Sequence, residues 1–180
     1  MNHVQRFRAV MGFKPFDRLP VVEWASWWDK TIERWYGEGL PRDLSDAAAI
    51  RKYLGLDTYY QLWIAPRRAG CPHPNSHGAG ILSRPEDYDG LKRHLFPEPA
   101  FDAAHIRRWG EEHANGEAVV WITLEGFFWF PRTLFGIEAH LYAFYDHSEL
   151  MHRMNSDLAD FNLRALDEFC AKVCTPDFMT

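Results

Sequence analysis

The 180-residue chain is long enough to form a domain with a sizeable core, and its 47% hydrophobic and 25% charged residues are typical of a soluble globular protein. The net charge of −5, with Lys and Arg dispersed along the chain, argues against nucleic acid as a partner, and no apolar run approaches the ~20 residues of a membrane-spanning helix. Three cysteines make no even disulfide framework and the N-terminus has no signal-peptide pattern, so a cytoplasmic protein is predicted.

Apolar periodicity and helix caps predict a chain in which strands alternate with helices. Asn2 caps the first helix, while residues 19–25 (LPVVEWA) and 57–65 (DTYYQLWIA) are short apolar or aromatic runs typical of strands. In chain order the predicted elements are a helix to about residue 11, a strand at 19–25, helices at 27–36 and 44–54, a strand at 57–65, helices from Ser83 to before Pro97 and at 101–113, a strand at 118–124, helices at 137–145 and 147–173, and the start of a strand at 177–180.

This alternation indicates an α/β protein with a parallel sheet, and the order matches about half of a (β/α)₈ TIM barrel preceded by an additional helix. Such barrels usually contain ~250 residues or more, so residues 1–180 are expected to form the N-terminal half of one barrel domain. A half-barrel leaves two sheet edges bare, which isolated proteins seldom tolerate. The C-terminal half is therefore expected in sequence beyond this chain.

The stretch 117–136 (EAVVWITLEGFFWFPRTLFG) carries the strongest functional signal. Its residues 118–124 predict a strand buried on both faces, which ends at Glu125 and Gly126 and leads into an aromatic-rich loop. A carboxylate and an aromatic loop after a buried strand are typical of one wall of a pocket at the carboxyl end of a parallel sheet. The alternative is a strand and loop packed under a helix, although a loop this aromatic would be costly to expose.

Two carboxylates and six other side chains are the candidate site residues. Glu23 and Glu125 lie near the carboxyl ends of predicted inner strands, where a carboxylate could act as a general base or hold a cation or a ligand hydroxyl. The alternative for each is an ion pair with an arginine such as Arg132. The candidate substrate-binding residues, for which core packing or local pairing is the alternative, are Trp24, Trp27, Tyr59, Gln61, Phe127 and Arg132.

Cys71, His73 and His77 offer metal-ligand types at a plausible spacing. They lie in a loop rich in Pro and Gly, and no fourth ligand is apparent in the sequence around them. We therefore assign no metal to the residues of this chain and interpret these three as loop residues.

Three segments of the chain resemble the uroporphyrinogen decarboxylase superfamily. They are NHVQRFRAVMGFKPFDRLPVVEW near the start, YLGLDTYY in the middle, and WITLEGFFWFPRTLFGIEAHLYAFYDHSELMHRM. Within the superfamily they are most similar to the bacterial branch grouped with cobamide-dependent methyltransferases. The resemblance covers nearly all 180 residues and corresponds to the N-terminal half of such a protein. It implies a (β/α)₈ barrel with an extra N-terminal helix.

The signature of the decarboxylases that act on tetrapyrroles is not present. Their Arg-rich segment P-V-W-x-M-R-Q-A-G-R, which binds propionate carboxylates, corresponds to residues 20–28, which contain no Arg and include Glu23. Their Asp on the next strand corresponds to a position near Gln61, and their pocket Tyr to one near Phe135. A polyanionic tetrapyrrole needs a cationic mouth, which Glu23 and Glu125 would oppose.

The cofactors and partners that the resemblance implies depend on the branch. In the methyltransferase branch, His and Cys ligands in the C-terminal half bind Zn²⁺, so zinc is expected only through residues outside this chain. A corrinoid protein is the expected partner in that branch. The decarboxylases of the superfamily also imply a homodimer.

Two hypotheses of function remain. The first is a uroporphyrinogen-decarboxylase-like enzyme that decarboxylates, or transfers a methyl group to or from, a small or flat organic substrate, with Glu23, Gln61, Glu125 and Arg132 at its mouth. The second is a non-catalytic ligand-binding or assembly protein that kept the barrel and lost the chemistry. Turnover by variants at Glu23 and Glu125 separates the two hypotheses.

Overall fold

The structure, a computed structural model, describes residues 1–82 and 84–180, so the predicted helix cap Ser83 lies outside the described residues. In this part of the chain two 3₁₀ turns, Pro85–Asp87 and Lys92–His94, flank the short helix α4. The helices are α1 (His3–Met11), α2 (Asp29–Glu38), α3 (Ala47–Tyr53), α4 (Tyr88–Leu91), α5 (Arg107–Ala114), α6 (Trp129–Phe135), α7 (Ile137–Asp146) and α8 (Ser148–Lys172), and the strands are β1 (Tyr59–Ile64), β2 (Val119–Leu124) and β3 (Phe178–Met179).

The three strands form a parallel sheet whose spatial order, β1-β2-β3, is the order along the chain. The bonds next to β3 have the parallel pattern, because Thr180 bonds two residues of β2 that are two positions apart. Its N–H donates to the carbonyl of Ile122 (3.1 Å), and its carbonyl accepts from the N–H of Leu124 (2.8 Å). The prediction of an α/β protein with parallel strands is confirmed.

The chain divides into two compact units. The first contains residues 1–61, 108–121 and 176–178, and the second contains residues 62–107, 122–175 and 179–180. Each strand therefore begins in the first unit and ends in the second.

In the first unit, the prediction of a strand at residues 19–25 is wrong, because a side chain takes the place of a neighbouring strand. The carbonyl of Val21 accepts from the N–H of Asp57 (2.8 Å), but the N–H of Val21 donates to the Asp57 carboxylate (2.8 Å). Pro20 has no N–H to donate. The segment consequently makes one backbone–backbone hydrogen bond, next to the start of β1, and does not form the repeated hydrogen bonds of a β-strand in the described structure.

Asp57 is the buried centre of a charged network in the first unit. Its carboxylate accepts from Nη1 of Arg6 (3.0 Å), from Nη1 and Nη2 of Arg18 (2.6 and 2.8 Å) and from the Val21 amide. Burial alone would raise the pKa of Asp57, but the bonds from Arg18 and Val21 and the charges of Arg18 and His3 outweigh it and hold the pKa below its usual range. The network ties α1 and the following loop to the residues before β1.

A row of aromatic rings packs α1 against the strand residues of the first unit. Phe7 stacks on Phe178 with ring centroids 5.2 Å apart, and Phe178 lies 4.8 Å from Trp121. Trp121 in turn stacks on Tyr59 at 5.8 Å. These contacts use much of the aromatic content of this unit for packing, at geometries that aromatic pairs prefer.

The core of the second unit is built on α8. This helix buries one stripe at helical spacing, in which Met154, Leu158, Phe161 and Phe169 are fully buried. Tyr88 of α4 is also fully buried and donates its hydroxyl proton to Asp157 of α8 (2.8 Å). The long amphipathic pattern predicted for α8 is confirmed.

The prediction of an aromatic-rich loop after Glu125 is wrong, because the chain forms helix α6 there. The N–H of Phe130 donates to the carbonyl of Gly126 (2.9 Å), which starts the helical bonding. Pro131 fits because it lies in the first turn of the helix, where a backbone N–H has no partner within the helix. The four aromatic residues therefore split into exposed side chains and a core residue, Phe130, which is fully buried.

Gly80, which has no side chain, lets the backbone of a loop in the second unit pack directly against the backbone of α6. A Cβ at this position would lie 2.3 Å from the carbonyl carbon and oxygen of Phe135, which cannot move away as a flexible side chain could. We expect Gly80→Ala to lower the free energy of unfolding by about 2 kcal/mol, within the usual range for overpacking. Denaturant titration checks this, with Gly90→Ala as the matched control because no atom lies within 4 Å of a Cβ there. Equal stability of the two variants would contradict the prediction.

Candidate functional site

An ion pair lies at the carboxyl ends of β1 and β2 in the second unit. Arg67 lies three residues after the end of β1, and Glu125 directly follows β2. Nη2 of Arg67 lies 3.0 Å from both carboxylate oxygens of Glu125, and Nη1 donates to Oγ1 of Thr133 (2.7 Å). The side chain of Asn162 donates to the backbone carbonyl of Glu125 (3.2 Å), so α6 and α8 both help to position the pair.

The carboxyl group of Glu125 is well shielded from water. Its side chain is 11% exposed, against 28% for the side chain of Arg67. Burial raises the pKa of Glu125 above its ordinary value, and the charge and hydrogen bonds of Arg67 act in the opposite direction. A carboxyl group whose pKa is raised in this way keeps its proton to a higher pH than an ordinary carboxylic acid does, which suits it to proton transfer.

A pocket of about 450 Å³ lies beside this ion pair in the second unit. Its volume falls in the range of small-molecule sites. Arg67 and Thr133 form part of its wall, so Glu125 is linked to the pocket through Arg67, which bonds both Glu125 and Thr133. The remaining lining residues are Arg68, Cys71, Pro72, His73, Pro74, His77, Gly78, Ala79, Ile81, Arg132, Gly136 and Ile137.

The loop that forms most of the pocket is fixed by backbone hydrogen bonds. The N–H groups of Ile81 and Leu82 both donate to the carbonyl of Leu134 (2.8 and 2.9 Å). Just after α6, the N–H of Ile137, the first residue of α7, donates to the carbonyl of Gly78 (2.8 Å). These bonds hold the Pro- and Gly-rich segment against α6 and α7, which gives the pocket a defined wall.

Of the predicted site residues in the second unit, Arg132 lines the pocket and Glu125 lies behind it. Arg132 is the fourth residue of α6. Its guanidinium carbon lies 4.2 Å from the ring centroid of Trp129. Phe127 is about half exposed, at 51%. The expected ion pair of Glu125 exists, but its partner is Arg67.

The other predicted residues belong to the first unit. Tyr59 donates its hydroxyl proton to the backbone carbonyl of Glu23 (2.9 Å), and the guanidinium of Arg51 lies over the rings of Tyr59 and Trp27 (5.4 and 5.5 Å). The Glu23 carboxylate accepts from the N–H of Ala25 (3.1 Å). Glu23, Trp27 and Tyr59 are thus brought together, while Trp24 is exposed and Gln61 is half-buried in β1.

The sequence analysis missed the arginines that follow β1. Arg67 and Arg68 come directly after Pro66, which was predicted to end that strand. The rule that selected Glu125, a polar residue just past the carboxyl end of a buried strand, would also have selected these two. The pairing itself is not visible in the sequence, because the partners of Arg67, Glu125 and Thr133, lie 58 and 66 residues further along the chain.

Comparisons with protein-family models, curated proteins and solved structures give no match. Over residues 1–82 and 84–180, no helix has both the length and the apolar character needed to cross a membrane. Within the same residues no group of three or more His, Cys, Asp or Glu side chains is placed to hold a metal ion.

His140 of α7 is a buried histidine with no hydrogen-bond partner among the described residues. It is fully buried, and its ring lies 4.7 Å from the ring of Phe128 and 5.0 Å from that of Phe144. Burial lowers the pKa of His140 below its ordinary 6.5, and the positive charge of Arg132 lowers it further. Folding therefore favours the neutral form of this imidazole.

Stability should fall in acid because of this residue. The unfolded chain protonates His140 near pH 6.5 while the folded chain does so only at lower pH, so stability is full above that value and is lost as pH falls. One such group changes the free energy of unfolding by up to about 1.4 kcal/mol per pH unit. Denaturant titrations between pH 7 and 5 should show a flatter profile for His140→Leu than for wild type.

His152→Gln is the control for this measurement, because His152 is exposed on α8. Its pH profile should follow that of the wild type. An unchanged slope in His140→Leu would mean that other groups cause the acid loss.

Proposed function

We propose that the protein is a uroporphyrinogen-decarboxylase-like enzyme that decarboxylates, or transfers a methyl group to or from, a small or flat organic substrate. The proposed site is the pocket at the carboxyl ends of β1 and β2. In open and closed parallel sheets alike, this end of the strands is where side chains from successive loops meet and where ligands bind.

The finer fold proposed is part of a (β/α)₈ barrel. Two observations support it: the strands are parallel, and their spatial order repeats the chain order with helices between them. The resemblance described above extends the proposal to partners. These are a second copy of the protein and, for methyl transfer, a corrinoid protein.

The ion pair between Glu125 and Arg67 is the observation that carries the proposal. It places a buried carboxyl group with a raised pKa beside a small-molecule pocket, at the sheet end where barrel enzymes work. In a decarboxylation the bond to the carboxylate carbon breaks, carbon dioxide leaves, and the carbon that keeps the electron pair needs a proton. We propose that Glu125, once it has taken up a proton and released its bonds to Arg67, is the source of that proton.

A panel of small carboxylic acids and methyl donors tests the proposal, with release of carbon dioxide and loss of the methyl group as readouts. Wild type is compared with Glu125→Gln and Glu23→Gln, since both carboxylates were predicted as catalytic. We expect turnover of at least one compound by wild type and loss of that turnover in Glu125→Gln. A variant at Glu23 that alone loses turnover would move the site to the first unit.

The second candidate function is ligand binding without chemistry. The geometry of the pair favours it, since Nη2 of Arg67 contacts both carboxylate oxygens of Glu125, as in a purely structural ion pair. Binding of a compound from the same panel, with no product from any of them, would support this candidate. Product formation by the wild type would eliminate it.

A further inference from the structure

We propose that the pocket of the second unit binds an anionic group, a carboxylate or a phosphate, between Arg68 and Arg132. The inference rests on the proposed function, because it names the substrate class for the same pocket. The proposal concerns which ligand binds and does not depend on catalysis by Glu125, so binding measurements alone can test it.

The charge of the lining residues is the first observation. Three arginines and two histidines line the pocket, and no Asp or Glu is found among the described lining residues. Arg67 is neutralised by Glu125, which lies behind the wall. Two positive charges, those of Arg68 and Arg132, remain without a carboxylate partner in the described part of the chain. Such a pocket attracts anions and disfavours cations.

The two guanidinium groups are also held in place. Arg68 donates from Nε to the carbonyl of Leu95 (2.9 Å) and from Nη2 to that of Phe96 (3.0 Å), and neither carbonyl cancels its charge. Arg132 is held over the ring of Trp129. These contacts restrict both side chains before any ligand arrives. Ligand binding therefore costs less side-chain conformational entropy than it would at freely moving surface arginines.

The rest of the lining indicates the size and character of the ligand. His73 and His77 are exposed at the rim, where an imidazole N–H can donate to an anion. Cys71 is buried, and burial raises the pKa of its thiol, so this side chain adds no negative charge. With Ile81 and Ile137 it forms an apolar part of the wall. The pocket thus suits a small molecule with one anionic end and a short apolar portion.

Titrations of the full chain with sodium acetate and with inorganic phosphate, at constant ionic strength, test the proposal by NMR or calorimetry. We expect saturable binding of at least one of the two, and the tighter one identifies the anionic group of the substrate. Arg68→Gln and Arg132→Gln should each weaken that binding about tenfold, the usual effect of losing one hydrogen bond to a charged group.

Arg42→Gln is the matched control, because it removes one positive charge from an exposed arginine outside the pocket and should leave binding unchanged. If circular dichroism shows that Arg132→Gln does not fold, Arg132→Lys replaces it, and a partial loss of affinity is then expected. Binding that does not saturate, or that has the same affinity in both arginine variants as in wild type, would overturn the proposal.

The outcomes for this proposal and for the proposed enzyme are separable. Saturable anion binding without turnover of any compound would support the anion site and reject the proposed enzyme activity. Turnover that is lost in Glu125→Gln, together with no anion binding, would support the proposed enzyme activity and reject the anion site.

Discussion

Replacement of Glu125 by Gln is expected to lower kcat by about 100- to 10,000-fold, which is the usual contribution of a positioned acid or base. Gln keeps the size of the side chain, and its carbonyl oxygen can still accept a bond from Arg67. It cannot supply an acidic proton. Initial rates on the substrate found in the panel, measured for wild type and variant, check this expectation.

The pH dependence separates proton transfer from a structural role of the same residue. Burial raises the pKa of Glu125 above 4.5, and a proton donor is active only below its pKa, so kcat should fall as pH rises through that value. Glu125→Gln should lose this limb of the profile. Arg67→Met should move the limb to higher pH, because the charge of Arg67 opposes the shift.

Glu149→Gln is the control for these rates, since Glu149 is exposed on α8. It should keep the kcat and the pH profile of the wild type. A Glu125→Gln variant with the wild-type kcat over the whole pH range would remove Glu125 from the chemistry and leave the ion pair as a structural feature.

Replacement of Asp57 by Asn is expected to lower the free energy of unfolding by about 3 kcal/mol. The neutral amide would remove the carboxylate that accepts from Arg18 and would leave Arg6 paired with Asp17 alone; removing one partner of a buried ion pair costs about 3–5 kcal/mol. The lower end of that range applies because the side chain of Arg18 is 45% exposed. Denaturant titration at pH 7 measures the loss.

The same network predicts an acid transition. Because the folded-state pKa of Asp57 lies below its ordinary 3.8, the stability it contributes is complete above about pH 4 and is lost as pH falls through the folded value. The stability of Asp57→Asn should not show this acid loss. Asp89→Asn is the control, since this exposed carboxylate forms only a surface pair with Arg153 and should change stability by less than about 0.5 kcal/mol. Equal losses in the two variants would contradict the role of the network.

Local sequence patterns were sufficient to predict the helices and strands whose apolar periodicity is regular. Residues 148–172 carry one apolar stripe over many turns, and residues 119–124 are a β-branched run bounded by polar residues, so each could be predicted without knowledge of its neighbours. The strand predicted at 19–25 failed for a non-local reason. Its apolar pattern was right for a strand, but the carboxylate of Asp57, 36 residues away, takes the hydrogen bond of Val21.

The candidate site divides in the same way. A carboxylate just past a buried strand is visible in the sequence, so Glu125 could be selected from its position alone. Its partner could not be selected, because several arginines lie near strand or helix ends and the chain order does not say which of them reaches it. The sheet places the end of β1 beside the end of β2, and this brings Arg67 within 3.0 Å of Glu125.

By itself the sequence determined the class of the fold, because helical and strand periodicities are properties of adjacent residues. It also determined that Glu125 ends a buried strand. Only the tertiary structure decided that Arg67 pairs with that carboxylate while Thr133 holds Arg67 and Asn162 holds the backbone of Glu125. It also decided that Arg68 and Arg132 share a pocket without acidic residues among its described lining. Burial and ion pairing join residues far apart in the chain, so the pKa of Glu125 and the charge of the pocket follow from packing and not from local sequence.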